Sequence, residues 1–149
     1  MSLAEKICLS AAFLFFMTGL LTGIWKYRHM ARSEDATSPV YVDIAHRSSL
    51  LYSFAALLLA AFSAHSVLAD WVNTTAAVAA LVFFAFAIGT YVIHGLLQDT
   101  DNQLRRPHRL GKRQLPSWAT GFFMLLLIVG EVGGAFVLGA GAMLGIWQG

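Results

Sequence analysis

The sequence has little charge and almost no cysteine, and both shortages limit what the protein can be. Charged residues make up only 12% of the 149 residues, and Cys8 is the single cysteine. One cysteine excludes an internal disulfide and a Cys-x-x-Cys metal or redox motif. The 58% hydrophobic share exceeds the usual 45–50% or so of a soluble domain. Because the net charge is only +2 and no nucleic-acid-binding motif is visible, we expect no nucleic-acid partner.

Four long apolar runs dominate the chain instead. A helix needs about 20 apolar residues to cross the hydrocarbon core of a bilayer. Backbone groups find no water there, so each run must satisfy its hydrogen bonds internally as a helix. The sequence therefore predicts an all-α membrane protein, a four-transmembrane-helix bundle in the lipid bilayer. We expect a single domain over residues 1–149, with spans near 7–25, 50–68, 71–97 and 118–147.

The distribution of cations predicts an orientation. Nine of the ten lysine and arginine residues lie in two segments, one between spans one and two and one between spans three and four. Cytoplasmic loops carry such an excess. We expect these loops in the cytoplasm of a bacterial-type inner membrane, with both termini on the outer (periplasmic) side. The residues concerned are Lys26, Arg28, Arg32, Arg47, Arg105, Arg106, Arg109, Lys112 and Arg113.

Glycines recur at intervals of four residues in spans one and four. This spacing lets helix backbones approach closely in lipid. It favours either close packing inside the bundle or contacts between protomers. We expect a homo-oligomer, with a trimer favoured, because four helices alone enclose little space. The glycine pairs are Gly19 with Gly23, Gly130 with Gly134, and Gly141 with Gly145.

Polar residues gather where the spans meet the cytoplasmic side. Tyr91 and His94 are three residues apart on span three, so they share a helix face. His46 lies at a similar depth before span two, and a neutral imidazole there is able to ligate a metal or haem iron. We expect these three side chains to converge on one pocket. His29 and His108 fall in the basic loops and are expected to face solvent.

Glu131 interrupts span four near its middle. An ionised acidic side chain at that depth raises the free energy of membrane insertion by about 3 kcal/mol, so it must be neutral, paired with a cation or hydrated. One interpretation is a proton acceptor or a group that anchors a ligand. The other is a protonated acid hydrogen-bonded across a close glycine interface.

Two short motifs carry a resemblance to a known family. Ala45-His46 stands at the cytoplasmic start of span two, and Gly89-Thr90-Tyr91 lies on span three. In these motifs, and in length and span order, the chain resembles the styrene oxide isomerase and hydroxylaminobenzene mutase group. The resemblance implies a trimer in which His46 binds haem b at a protomer interface. The iron then acts as a Lewis acid toward an epoxide oxygen, and Tyr91 steadies the opening ring.

The chain departs from the family pattern at two positions. Tyr52 stands where the family has Asn, and Phe83 stands where the isomerase has Asp. We take Tyr52, Tyr91 and His94 as candidate catalytic residues. The leading hypothesis is a haem-dependent, isomerase or mutase-like membrane enzyme that acts on a small hydrophobic molecule, of the aromatic epoxide type. The alternatives are a b-type cytochrome with His46 and His94 as paired ligands, and a structural or proton-path subunit that uses Glu131.

Overall fold

The computed structural model describes residues 1–148. These residues form four long helices, α1 (Leu3–Met30), α2 (Val40–His65), α3 (Asp70–Leu97) and α4 (Ser117–Gln148). All four are long and apolar enough to cross a membrane. The prediction of an all-α, multi-pass membrane protein is confirmed at this level.

The second helix extends further ahead of its predicted span, 50–68, than any other helix, as Ser38-Pro39 in the sequence indicates for a helix start. It begins at Val40, well before its apolar run, and ends at His65 because Ser66 adopts an extended conformation. Its polar first turns are stabilised by Asp43, whose carboxylate lies 2.6 Å from Lys26 of α1 and 2.8 Å from Arg47. These ion pairs explain how the helix extends beyond the apolar run.

Small side chains dominate the core. Cys8, Ala56, Ala77, Ala80 and Leu138 are all fully buried there. Helices that meet through alanine approach closely, and dispersion contacts then hold them together in lipid. The most extensive contacts join α1 to α2, followed by those between α3 and α4.

The spaced glycines belong to this internal packing. A Cβ at Gly19 would lie 2.6 Å from Leu50 of α2, and one at Gly134 would lie 3.2 Å from the Ala80 side chain of α3. Gly141 and Gly145 abut the turn between α2 and α3. Of the two interpretations of this spacing, these contacts favour packing within one chain.

That turn, residues 66–69, is tied to two helices. The Ser66 hydroxyl donates to Oδ1 of Asn73 at 2.8 Å, and the Asn73 amide donates to the Leu68 carbonyl at 3.1 Å. The Val67 N–H donates to the Gly141 carbonyl of α4 at 3.3 Å. The buried Asn73 therefore stabilises the end of the bundle opposite the basic loops.

The third connection, residues 98–116, folds back over the helix ends. Gln98 ends α3 in the left-handed region with φ of 47°, and its N–H bonds the His94 carbonyl at 2.8 Å. A left-handed residue after a helix reverses the chain direction. Two short antiparallel strands follow, β1 (Arg109–Leu110) and β2 (Arg113–Gln114), with Gly111 at φ of 59° between them.

Candidate functional site

A cavity of about 290 Å³ opens between α3, α4 and the segment 98–116, and we call it the α3–α4 cavity. Most of the residues that α4 contributes are apolar. Most of the polar lining residues come from α2, α3 and the segment 98–116. Its main lining residues are Tyr52, Tyr91, His94, Gln103, His108, Arg109, Phe123, Met124 and Leu127.

All three candidate catalytic residues line this cavity. Tyr52 comes from α2, where its ring stacks on Phe84 with centroids 4.4 Å apart. Tyr91 and His94 come from adjacent turns of one face of α3. Tyr41 of α2 packs beside both, with its ring centroid 5.0 Å from that of His94. Two phenols and an imidazole are thus brought to one chamber.

His94 is held by an aspartate that the sequence did not single out. Nδ1 of His94 lies 2.8 Å from Oδ1 of Asp99, and the two side chains are 4% and 7% exposed. A carboxylate only accepts hydrogen bonds, so Nδ1 carries the proton. Burial works to raise the pKa of Asp99, but hydrogen bonds from His94 and the Gly111 N–H outweigh it and lower the pKa overall. Asp99 therefore fixes the tautomer and orientation of this imidazole.

His108 was expected in solvent, and that expectation is wrong. The side chain is buried, at 7% exposure, and lines the α3–α4 cavity. Its Nδ1 lies 3.3 Å from the backbone carbonyl of Gln103. The segment is closed against the helices by the Tyr41 hydroxyl, which accepts from the Gln103 N–H at 2.6 Å. Burial of His108 depends on this contact between residues far apart in sequence, so no local pattern predicts it.

His46 lies away from this cavity, at the interface of α1 and α2. Its Nδ1 is 2.8 Å from the Gly19 carbonyl, and the ring packs against Gly23. The expected convergence of His46 with Tyr91 and His94 is therefore not found within one chain. Successive residues of an α-helix are rotated by about 100° around its axis. Tyr52, six positions after His46, therefore points to a different side of α2 and reaches the cavity, whereas His46 does not.

Glu131 lies one turn beyond Leu127 on the same face of α4, next to the cavity wall. Its neighbours Gly130 and Gly134 pack against α3, so the close glycine interface exists. Among residues 1–148, however, the buried Oε1 atom of Glu131 has no hydrogen-bond partner. The structure thus shows the interface without the hydrogen bond that the second interpretation of this residue requires.

Within the described chain, no cluster of three or more His, Cys, Asp or Glu side chains is arranged to hold a metal ion. Comparisons with protein-family models, curated proteins and solved structures find no match to this chain.

Proposed function

We propose that the chain is a membrane-embedded enzyme of the isomerase or mutase type that binds a small hydrophobic molecule in the α3–α4 cavity. The observation that supports this most is the meeting of Tyr52, Tyr91 and His94 in the lining of one cavity. Hydroxyl donors stabilise negative charge that develops on a substrate oxygen. An imidazole transfers protons at near-neutral pH. An intramolecular rearrangement needs no second substrate, which suits a single chamber.

The size and polarity of the cavity support a small, single-ring substrate. Its volume of about 290 Å³ lies just below the range of about 300–1,000 Å³ that is usual for ligand pockets. Phe123, Met124 and Leu127 supply apolar contacts to a ring. The buried side-chain oxygen of Gln103 has no partner among residues 1–148. A hydrogen-bond donor on the ligand would satisfy this acceptor.

Haem b on His46 is a second, separable part of the proposal. A carbonyl only accepts, so Nδ1–H of His46 donates to Gly19 and Nε2 keeps its lone pair. Metal-ligating histidines are commonly held in this way. His46, oriented by Gly19, is the residue that would hold the haem, and the bound group would supply a Lewis-acid iron. The haem would lie at the α1–α2 interface. His94 bonds Asp99 at the separate α3–α4 cavity, so it would not hold the same group as His46.

The same geometry supports an oligomer. His46 is half-buried at the α1–α2 interface, so one chain leaves part of this side chain exposed. A neighbouring protomer would cover it, and a trimer is the number that the resemblance implies. We further propose that the basic loops and the α3–α4 cavity face the cytoplasm, since the segment over the cavity carries five of the ten cations.

Ligand binding tests the first part of the proposal. We expect detergent-purified protein to bind acetophenone, detected by saturation-transfer NMR. Ala119→Leu fills space beside the cavity wall and should abolish the signal. Ala85→Leu, on an exposed face of α3, should leave it unchanged. Equal signals in the wild type and Ala119→Leu would overturn this assignment.

An absorption spectrum tests the haem. Protein expressed with haem precursor should show a Soret band that His46→Ala removes and His94→Ala retains. A colourless wild-type protein would end the haem proposal and leave the ligand cavity standing.

A further inference from the structure

Two imidazoles reach the α3–α4 cavity from different elements. His94 comes from α3, and His108 comes from the segment 98–116. Nδ1 of His94 is 2.8 Å from the Asp99 carboxylate, and Nδ1 of His108 is 3.3 Å from the Gln103 carbonyl. Both acceptors lack a proton to donate, so each Nδ1 carries the hydrogen. In both neutral rings the lone pair therefore resides on Nε2.

His94 and His108 have the same tautomer, and this determines which ring atom transfers a proton. An imidazole whose Nδ1–H is engaged accepts or donates a proton through Nε2 alone, as in other histidine acid–base catalysts. Tyr91 lines the same chamber and offers a hydroxyl donor. A site with two proton-transfer groups and a hydroxyl is suited to removing a proton from a molecule with one group and returning a proton with the other.

We propose that His108 is a catalytic residue that works with His94 as an acid–base pair, and that the substrate class is a small apolar ketone or aldehyde with a C–H bond beside its carbonyl. This inference rests on the proposed function, since it places the reaction in the same cavity. It adds a residue and a reaction class that the resemblance does not supply.

The proposed step balances without a co-reactant. At the start, one of the two rings has taken up a second proton from water on Nε2, and the ring that stays neutral takes the proton from the carbon beside the carbonyl. The electron pair of that C–H bond forms a carbon–carbon double bond, and the carbonyl π pair moves to oxygen, where the Tyr91 hydroxyl donates a hydrogen bond. The protonated partner histidine then returns a proton to the same carbon, and the carbonyl re-forms. The two histidines exchange protonation states, and no oxidant or reductant is consumed.

The alternative role for His108 is structural, because its Nδ1–H bond helps to hold the segment over the cavity. Asparagine separates the two roles. Its side-chain amide places an N–H where Nδ1–H stands, and it has no atom in place of Nε2. His108→Asn therefore keeps the bond to Gln103 and removes only the proton-transfer atom. His94→Asn likewise keeps the N–H that faces Asp99.

The probe is phenylacetone in D₂O with the full chain in detergent. NMR follows deuterium incorporation beside the carbonyl, and saturation transfer follows binding. We expect exchange in the wild type and a loss of about 100-fold or more in His94→Asn and His108→Asn, in line with the 10²–10⁴ contribution of a general acid–base group. Binding should persist in both. His65→Asn, at an exposed position on α2, should exchange like the wild type.

Each contrary outcome has a distinct meaning. Wild-type exchange in His108→Asn would overturn the role of His108. Binding of phenylacetone without exchange in the wild type would overturn this inference and leave the proposed function in place. Absence of binding would overturn both.

Discussion

His94 and Asp99 form a buried pair at the end of α3, with Nδ1 and Oδ1 2.8 Å apart. The left-handed Gln98 reverses the chain between α3 and Asp99. The same carboxylate accepts the backbone N–H of Gly111 in the turn between β1 and β2. One carboxylate therefore joins the last turn of α3, an imidazole of the cavity and the hairpin.

Asp99→Asn should weaken the fold measurably. Asp99 accepts hydrogen bonds from His94 and from the Gly111 N–H, and asparagine would offer these donors a neutral side chain with one acceptor oxygen fewer. Hydrogen bonds to charged groups contribute about 1.5–3 kcal/mol each. We expect the free energy of unfolding in micelles to fall by about 2 kcal/mol. Asp101→Asn is the control, because its ion pair with Arg105 is exposed and such pairs contribute about 0–1 kcal/mol. Equal losses in the two variants would contradict this role of Asp99.

The contribution of Asp99 should disappear in acid. Its pKa is lowered in the folded state, so the unfolded chain binds the proton more tightly. The stabilisation is complete above the ordinary aspartate pKa of about 3.9 and is lost as the pH falls through the lower folded-state value. Unfolding of the wild type and Asp99→Asn should therefore converge below about pH 4. A stability difference that widens toward acid would show that another group dominates.

Gly23→Ala should displace His46. A Cβ at this position would lie 2.9 Å from Cε1 of the imidazole and 3.0 Å from Nδ1, closer than the ring tolerates. The ring must move, and its bond to the Gly19 carbonyl is then lost or lengthened. We expect a destabilisation of about 1–3 kcal/mol, as for other overpacked positions. Gly89→Ala, whose added Cβ meets nothing within 4 Å, serves as the control and should be neutral or stabilising.

Tyr41→Phe should loosen the segment over the cavity. The substitution removes the hydroxyl that accepts the Gln103 N–H at 2.6 Å and leaves the aromatic packing intact. We expect limited trypsin digestion at Arg105 and Arg109 to accelerate about 5-fold or more, equivalent to the loss of about 1 kcal/mol. Tyr27→Phe, at a residue 69% exposed on α1, should digest like the wild type. Identical rates would mean that other contacts hold the segment.

The helices were predictable because membrane insertion is a local property. A run of about 20 apolar residues has one stable conformation in lipid, whatever its neighbours do. The depth of Tyr91 and His94 follows from the same pattern. Their common face follows from their spacing of three, and the structure places both at one cavity.

The direction in which α2 presents its residues was harder to predict. His46 and Tyr52 belong to one helix, but only the packing of α1 against α2 decides which of them meets Gly19 and which meets the α3–α4 cavity. A sequence gives the angle between two residues and leaves the identity of the neighbouring helix open. The hypothesis that His46 shares a pocket with Tyr91 and His94 therefore used their similar depth alone. It had no information on which helix His46 faces.

The roles of Asp99 and His108 depend on still longer-range information. Tyr41 lies at the start of α2 and Gln103 follows α3, so two membrane spans separate them in the sequence. Their contact holds a polar segment against the helix ends. Nothing in the residues near His108 distinguishes it from a solvated loop histidine. Its burial is a product of the assembled bundle.

The alanines of the bundle core limit which residues these positions can hold. Ala56, Ala77 and Ala80 are completely buried where the helices pack, so a larger side chain at any of them would overpack the contact between helices. Homologues that keep this fold should therefore vary on their lipid-facing surfaces and retain small residues at these three positions.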